Sequence, residues 1–210
     1  MITIDKLWES NNEHDWKVAL EHYWSFVRPE NIGLERELNE LKLEQIINLN
    51  QIGWYYFLHD KYFRWKYTAP NRYATTTLAL KRYKDSNQLD SLFDIKKRLL
   101  SFNTFNISTG LTIAKEIHGL GIAGASGLLS LMYPNSFATV DQFAVKALCQ
   151  IPDLSESSNL KKMKPDSLTL KNGITLIDIM TRKAKDNNRI FNTEFWTPRK
   201  IDMILWASRS

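Results

Sequence analysis

The chain is poor in the residues that usually announce a function. It holds one cysteine, Cys149, which excludes an internal disulfide and any four-cysteine zinc or iron–sulfur site. The simplest expectation for that thiol is a small buried hydrophobe. Its four histidines, His14, His22, His59 and His118, show no paired spacing for a ligand set, so no metal is expected. Walker-type phosphate loops and the Gly-x-Ser-x-Gly elbow are missing, and no cofactor is expected. No apolar run approaches the roughly 18 to 20 residues of a membrane span, and "MITIDKLWESNNEHDWK" lacks the basic, apolar, small-residue order of a signal peptide. A cytoplasmic protein with no membrane partner is the resulting expectation.

What the chain does have is core material and unevenly placed charge. Its 210 residues are 43% hydrophobic and 12% aromatic, enough for one generous domain. The net charge of +5 conceals an asymmetry, because residues 1–50 carry ten acids against five bases. From Lys61 to Lys84 there are seven Lys and Arg and no acid, and from Lys161 to Lys200 there are ten against four. Clustered positive charge attracts polyanions, since neutralised phosphates release condensed counterions; a solvated basic face is the other reading.

Apolar residues recur at helical spacing over Leu7 to Phe26 and Leu34 to Leu58, separated by "RPENIG". Further helices are expected over Tyr73 to Tyr83, Leu89 to Phe102, Ser108 to Ile117, Ala123 to Met132, Gln142 to Cys149, Ile174 to Ile190 and Pro198 to Ala207. Asp141 and Thr197 occupy N-cap positions, and Pro198 the first helical position. The lysine-rich "LSESSNLKKMKPDSLTLKNG" is expected to be a long loop. Short alternating runs joined by hairpin turns do not occur, so the fold class is all-α. Residues 1–50 would form an acidic helical extension packed on a core of residues 51–210, the two making one compact unit.

One stretch, "HGLGIAGASG", carries Gly119, Gly121 and Gly124 in the G-x-G-x-x-G spacing of a dinucleotide-binding loop. That fingerprint needs a buried strand before the first glycine and a βαβ unit around it. Here the glycines follow "STGLTIAKEIH", where Lys115 and Glu116 interrupt any apolar strand and the pattern is that of an amphipathic helix. The alternative is helix, Gly-x-Gly hairpin, helix. Glycines allow positive φ in a tight turn, and the N-terminus of the second helix, near Ala123, offers free N–H groups to a phosphate. A turn of this kind is also ordinary helix packing.

The continuation "GLGIAGASGLLSLMYPNSFATVDQFAVKAL" resembles the helix-hairpin-helix DNA glycosylase superfamily, which includes endonuclease III and the adenine, alkyladenine and 8-oxoguanine glycosylases. The similarity covers about Leu111 to Leu148. It rests on the hairpin, on the Val140-Asp141 pair that opens a later helix 22 residues after Gly119, and on Lys146, which stands where that family commonly has an arginine. The resemblance implies Asp141 as the catalytic carboxylate, with Gly119, Gly121, Ala123 and Lys146 holding the backbone of double-stranded DNA. An N-cap role alone would account for the position of Asp141 equally well. Breaking an N-glycosidic bond leaves positive charge on the sugar, which a fixed carboxylate stabilises, and a helix N-terminus favours its ionised form.

Departures from the family pattern carry expectations too. Bifunctional members place a lysine nucleophile in the hairpin helix where this chain has Ala123, so hydrolysis by water is expected; Lys115 and Lys146 are the nearby lysines in sequence. His118 replaces the usual proline, and Gln142-Phe143 replaces the common Thr-His. The basic, aromatic "HDKYFRWKYTAPNRY" supplies Arg64 and Lys66 as phosphate contacts, with Phe63 and some of the tyrosines expected in the core. The helix within "FWTPRKIDMILWA" is expected to close the core and nothing more. The combined expectation is a monomeric, cytoplasmic glycosylase, nucleoid-associated in a bacterial cell, acting on a damaged or modified base with 8-oxoguanine among the candidates. The rival is a DNA-binding module on the same fold without chemistry.

Overall fold

A computed structural model describes residues 2–209, and every regular element among them is helical. The N-terminal third is broken into more pieces than its periodicity predicts. Where one helix was expected over Leu7 to Phe26, α1 (Ile4–Glu9) stops and α2 (Glu13–His22) restarts, because Asn12 takes an extended conformation and its side chain caps the His14 amide. The second long stretch is likewise divided into α3 (Ile32–Asn39), α4 (Leu43–Ile47) and α5 (Gln51–Tyr56), the last capped by Asn50.

α5 runs through a π-helical turn, Phe57–Tyr62, into α6 (Phe63–Lys66). Five residues per hydrogen-bonded turn shift the buried face, so Leu58 and Phe63, five apart, are both fully buried. α7 (Pro70–Asp85) and α8 (Leu89–Ser101) follow, then α9 (Ile107–Lys115) and α10 (Ile122–Met132), which pack side by side around a short turn. α11 (Gln142–Leu148), α13 (Leu170–Phe191) and α14 (Pro198–Ala207) complete the core. The expected long loop shortens, because α12 (Ser157–Leu160) forms within it and Thr169 caps α13 four residues before the expected start. Thr197 caps α14 as its position in the sequence implies.

Residues 1–50 do not stand apart from the rest. Trp16 is fully buried between Trp8 and Trp196, with ring centroids 6.1 and 5.9 Å away. α2 packs along α14, and the Lys183 ammonium lies over Trp8 and Trp16 at 5.2 and 5.0 Å. A buried aromatic cluster shared by both ends of the chain makes the N-terminal segment part of one core. Cys149, expected to be buried, is exposed at the end of α11.

Candidate active site

The three glycines of the G-x-G-x-x-G stretch sit in three different settings. α9, a helix and not a strand, leads into them, which removes the geometry a dinucleotide loop requires. Gly119 alone has positive φ, +93°, and a Cβ there would stand 2.6 Å from the Thr76 carbonyl oxygen, so both conformation and space demand glycine. Gly121 has φ −87° and ψ −172°, an ordinary extended conformation. It is exposed, nothing lies within 4 Å of where its Cβ would be, and no side chain caps the helix it opens. Gly124 serves packing: a Cβ would meet the Tyr67 hydroxyl at 2.5 Å.

α6 crosses α10 at this small-residue ridge. The Tyr62 hydroxyl donates to the Gly124 carbonyl, and the Tyr67 hydroxyl donates to the Gly119 carbonyl at 3.1 Å, clamping the turn from one side. At Gly127 a Cβ would stand 2.9 Å from the Tyr62 hydroxyl and 3.3 Å from the Cδ of Lys66. The missing side chain is what lets the lysine stem run across the helix.

The segment that delivers Asp141 is tied down residue by residue. Phe137, Ala138 and Val140 are fully buried. The Thr139 amide donates to Asp202 Oδ2 at 2.7 Å, and the Val140 amide donates to Ser126 Oγ at 2.9 Å. Ser126 lies four residues into α10, about 6 Å along its axis from the turn, so the residue before Asp141 is anchored to the first turns of the hairpin's second helix. Asp141 Oδ1 accepts from the Phe143 and Ala144 amides at 2.9 and 3.2 Å as the N-cap of α11. Both bonds use one oxygen, and among the described residues Oδ2 has no hydrogen-bond partner.

Asp141 faces a cavity of about 370 Å³, within the roughly 300–1,000 Å³ of small-molecule sites. One wall comes from the N-terminal segment (Tyr23, Phe26, Asn31, Glu35), another from Trp65 and Lys66, and a third from Arg199, Asp202, Trp206 and Arg209. The aromatic surfaces are Tyr23, Phe26, Trp65, Phe143 and Trp206. The Arg209 guanidinium lies 3.5 Å over Trp206 and 5.0 and 5.1 Å from Phe143 and Phe26, a cation held by three ring faces.

A buried charge network supports this wall. Arg199 donates to Asp202 Oδ1 at 2.7 Å and to Asn39 Oδ1 at 3.2 Å, and lies 3.5 Å from Glu35. Glu35 also accepts from Trp65 Nε1 at 2.6 Å, from Asn39 Nδ2 at 2.7 Å and from the Tyr23 hydroxyl. Burial raises Asp202 to about 6, although Arg199 and the Thr139 amide pull it back. Burial likewise lowers Lys66 below the usual lysine value; Asp141, Asp202 and Glu35 oppose that shift and Arg199 adds to it.

The sequence-predicted residues therefore separate. Gly119, Gly121, Ala123 and Asp141 lie on the hairpin and the element anchored to it. Lys146, Arg64 and Lys115 are exposed on the outside of their helices. Lys66 is not a surface lysine; it is half-buried in the cavity wall. Within the C-terminal basic cluster Arg199 is buried and Lys183 covers two tryptophans, whereas Arg182, paired with Glu156 at 2.5 Å, and most of the lysines stay exposed. Sequence reading missed Glu35, Arg199, Asp202 and Trp206. The available signal was the spacing 199, 202, 206, which puts two opposite charges and a tryptophan on one face of a capped helix. No protein-family model, curated protein or solved structure matches the chain.

Proposed function

We propose that the protein is a DNA glycosylase that cleaves the N-glycosidic bond of a damaged or modified base flipped out of duplex DNA. The observation that carries this reading is Asp141, a carboxylate with one free oxygen on an aromatic cavity, tied through Val140 and Ser126 to the first turns of α10. A flipped base needs flat walls to stack on; Phe26, Phe143, Trp65 and Trp206 supply rings, and stacking on Phe26, Phe143 or Trp206 requires Arg209 to move off them. The sugar's developing positive charge needs a fixed anion, which the capping bonds orient. The hairpin, with Gly121 open to close approach and uncapped amides behind it, is suited to a phosphate on the adjacent backbone. Arg64 and Lys146, both exposed, add cationic surface for the duplex.

The test is incubation of the full chain with duplexes that each carry one altered base, 8-oxoguanine among them, followed by alkali to convert abasic sites to breaks. Release from at least one duplex is expected. Asp141→Asn should slow release by about 100-fold or more while duplex affinity stays within a factor of two to three. A chain that binds duplex DNA and releases no base from the whole panel would instead be the non-catalytic binding module.

A further inference from the structure

The cavity contains one feature that base hydrolysis by water does not use. Lys66 reaches its wall from the end of α6, and does so because Gly127 has no side chain to block the stem. Three carboxylates act on its ammonium, Asp141, Asp202 and Glu35, yet among the described residues it forms no ion pair within 4.0 Å. Asp202 and Glu35 are engaged by Arg199, whose own charge repels the lysine. The nearest ring is that of Trp65, whose centroid lies 5.9 Å from the ammonium. A lysine that served only to neutralise the wall would be expected to pair with a carboxylate; this one is left with a free nitrogen beside Asp141.

We propose that Lys66 is the nucleophile of this site, attacking C1′ of the flipped nucleotide to form an imine. This inference rests on the glycosylase reading. The Nζ lone pair forms the new bond to C1′ as the C1′–N bond to the base breaks, and the base leaves with the bonding pair and takes up a proton. Loss of a proton from nitrogen and opening of the C1′–O4′ bond, with O4′ protonated, gives the protonated imine. Asp141 stabilises positive charge on C1′ in the first step. Burial favours the unprotonated amine that attack requires. Lys115 and Lys146, exposed on α9 and α11, do not line the cavity.

Borohydride trapping decides the matter. The full chain is incubated with a duplex carrying one preformed abasic site, in the presence of sodium borohydride, which reduces an imine to a stable secondary amine. A covalent protein–DNA adduct is expected, with Lys66 identified by peptide mass spectrometry. Lys66→Gln should reduce adduct yield at least 20-fold, while Lys115→Gln traps like the parent chain. Circular dichroism and duplex affinity check that Lys66→Gln is folded; if it is not, the mapped peptide of the parent chain decides alone. Base release without an adduct, or an adduct mapped to another amine, overturns the role of Lys66 and leaves the glycosylase reading intact. Absence of both base release and adduct removes that reading and this inference together.

Discussion

The Thr139 amide donates to the Asp202 carboxylate across 2.7 Å, and this bond fixes the chain two residues ahead of Asp141. The same carboxylate holds Arg199 at 2.7 Å, so one buried acid positions both the approach to the candidate active site and the cation in its wall. Asp202→Ala would leave Arg199 without its closest partner and the Thr139 amide unsatisfied. A loss of about 3–5 kcal/mol is expected from breaking a buried pair on one side, with a smaller loss for Asp202→Asn. Urea denaturation measures both, and equal stability for parent and Asp202→Ala would contradict the arrangement.

The hairpin glycines should respond differently to substitution. Gly119→Ala places a methyl against the Thr76 carbonyl at a positive φ and is expected to destabilise by about 1–3 kcal/mol or more. Gly121→Ser meets open space and supplies a good cap, so stability should change by no more than about 0.5 kcal/mol. Its effect should fall on duplex affinity, read by fluorescence anisotropy. Unchanged affinity would remove Gly121 from the proposed backbone contact.

Gly127→Ala inserts a methyl between α10 and the crossing helix, 2.9 Å from the Tyr62 hydroxyl. Lys66 can swing its flexible end aside, but the buried Tyr62 ring cannot, and its bond to Gly124 would be disturbed. Overpacking of this kind costs about 1–3 kcal/mol. Thermal unfolding should show the loss, and a Tyr62→Phe background, which removes the hydroxyl, should relieve part of it.

Lys66 should leave a signature in stability against pH. Its folded pKa lies below the ordinary 10.5 because of burial. Below the folded value both states carry the proton and the penalty is complete; between that value and 10.5 the unfolded chain binds more protons, so stability rises with pH. Lys66→Met lacks this titration. The stability of the parent relative to Lys66→Met should therefore grow between pH 7 and pH 10 in urea denaturation, and a constant difference would show that the amine is not desolvated.

Much of the architecture was legible in local pattern. α14 begins and ends where its capping threonine and proline place it, and α8 to α11 lie within two residues of their expected bounds. α8, α9 and α14 have amphipathic spacing, and α9, α11 and α14 have side-chain caps, both of which act over a few residues. The N-terminal helices were read too long because Asn12 and Asn50 divide apolar runs whose spacing continues across the break. The candidate site was partly legible, since Asp141 and the hairpin belong to one continuous stretch. The position of Lys66 in the cavity wall was not legible: its neighbours in sequence, Arg64 and Tyr67, do not disclose that Gly127, more than sixty residues away, leaves a groove for it.

The order of residues alone determined that this is a helical protein, where most of its helices start, and that glycines turn the chain between α9 and α10. Those properties depend on backbone conformation and nearest neighbours along the chain. Only tertiary packing decided that Glu35, Lys66, Asp141 and Arg199 line one cavity. They come from four separate helical regions, and what brings charges so distant in sequence together is the burial of the aromatic core between them, which has no local signature.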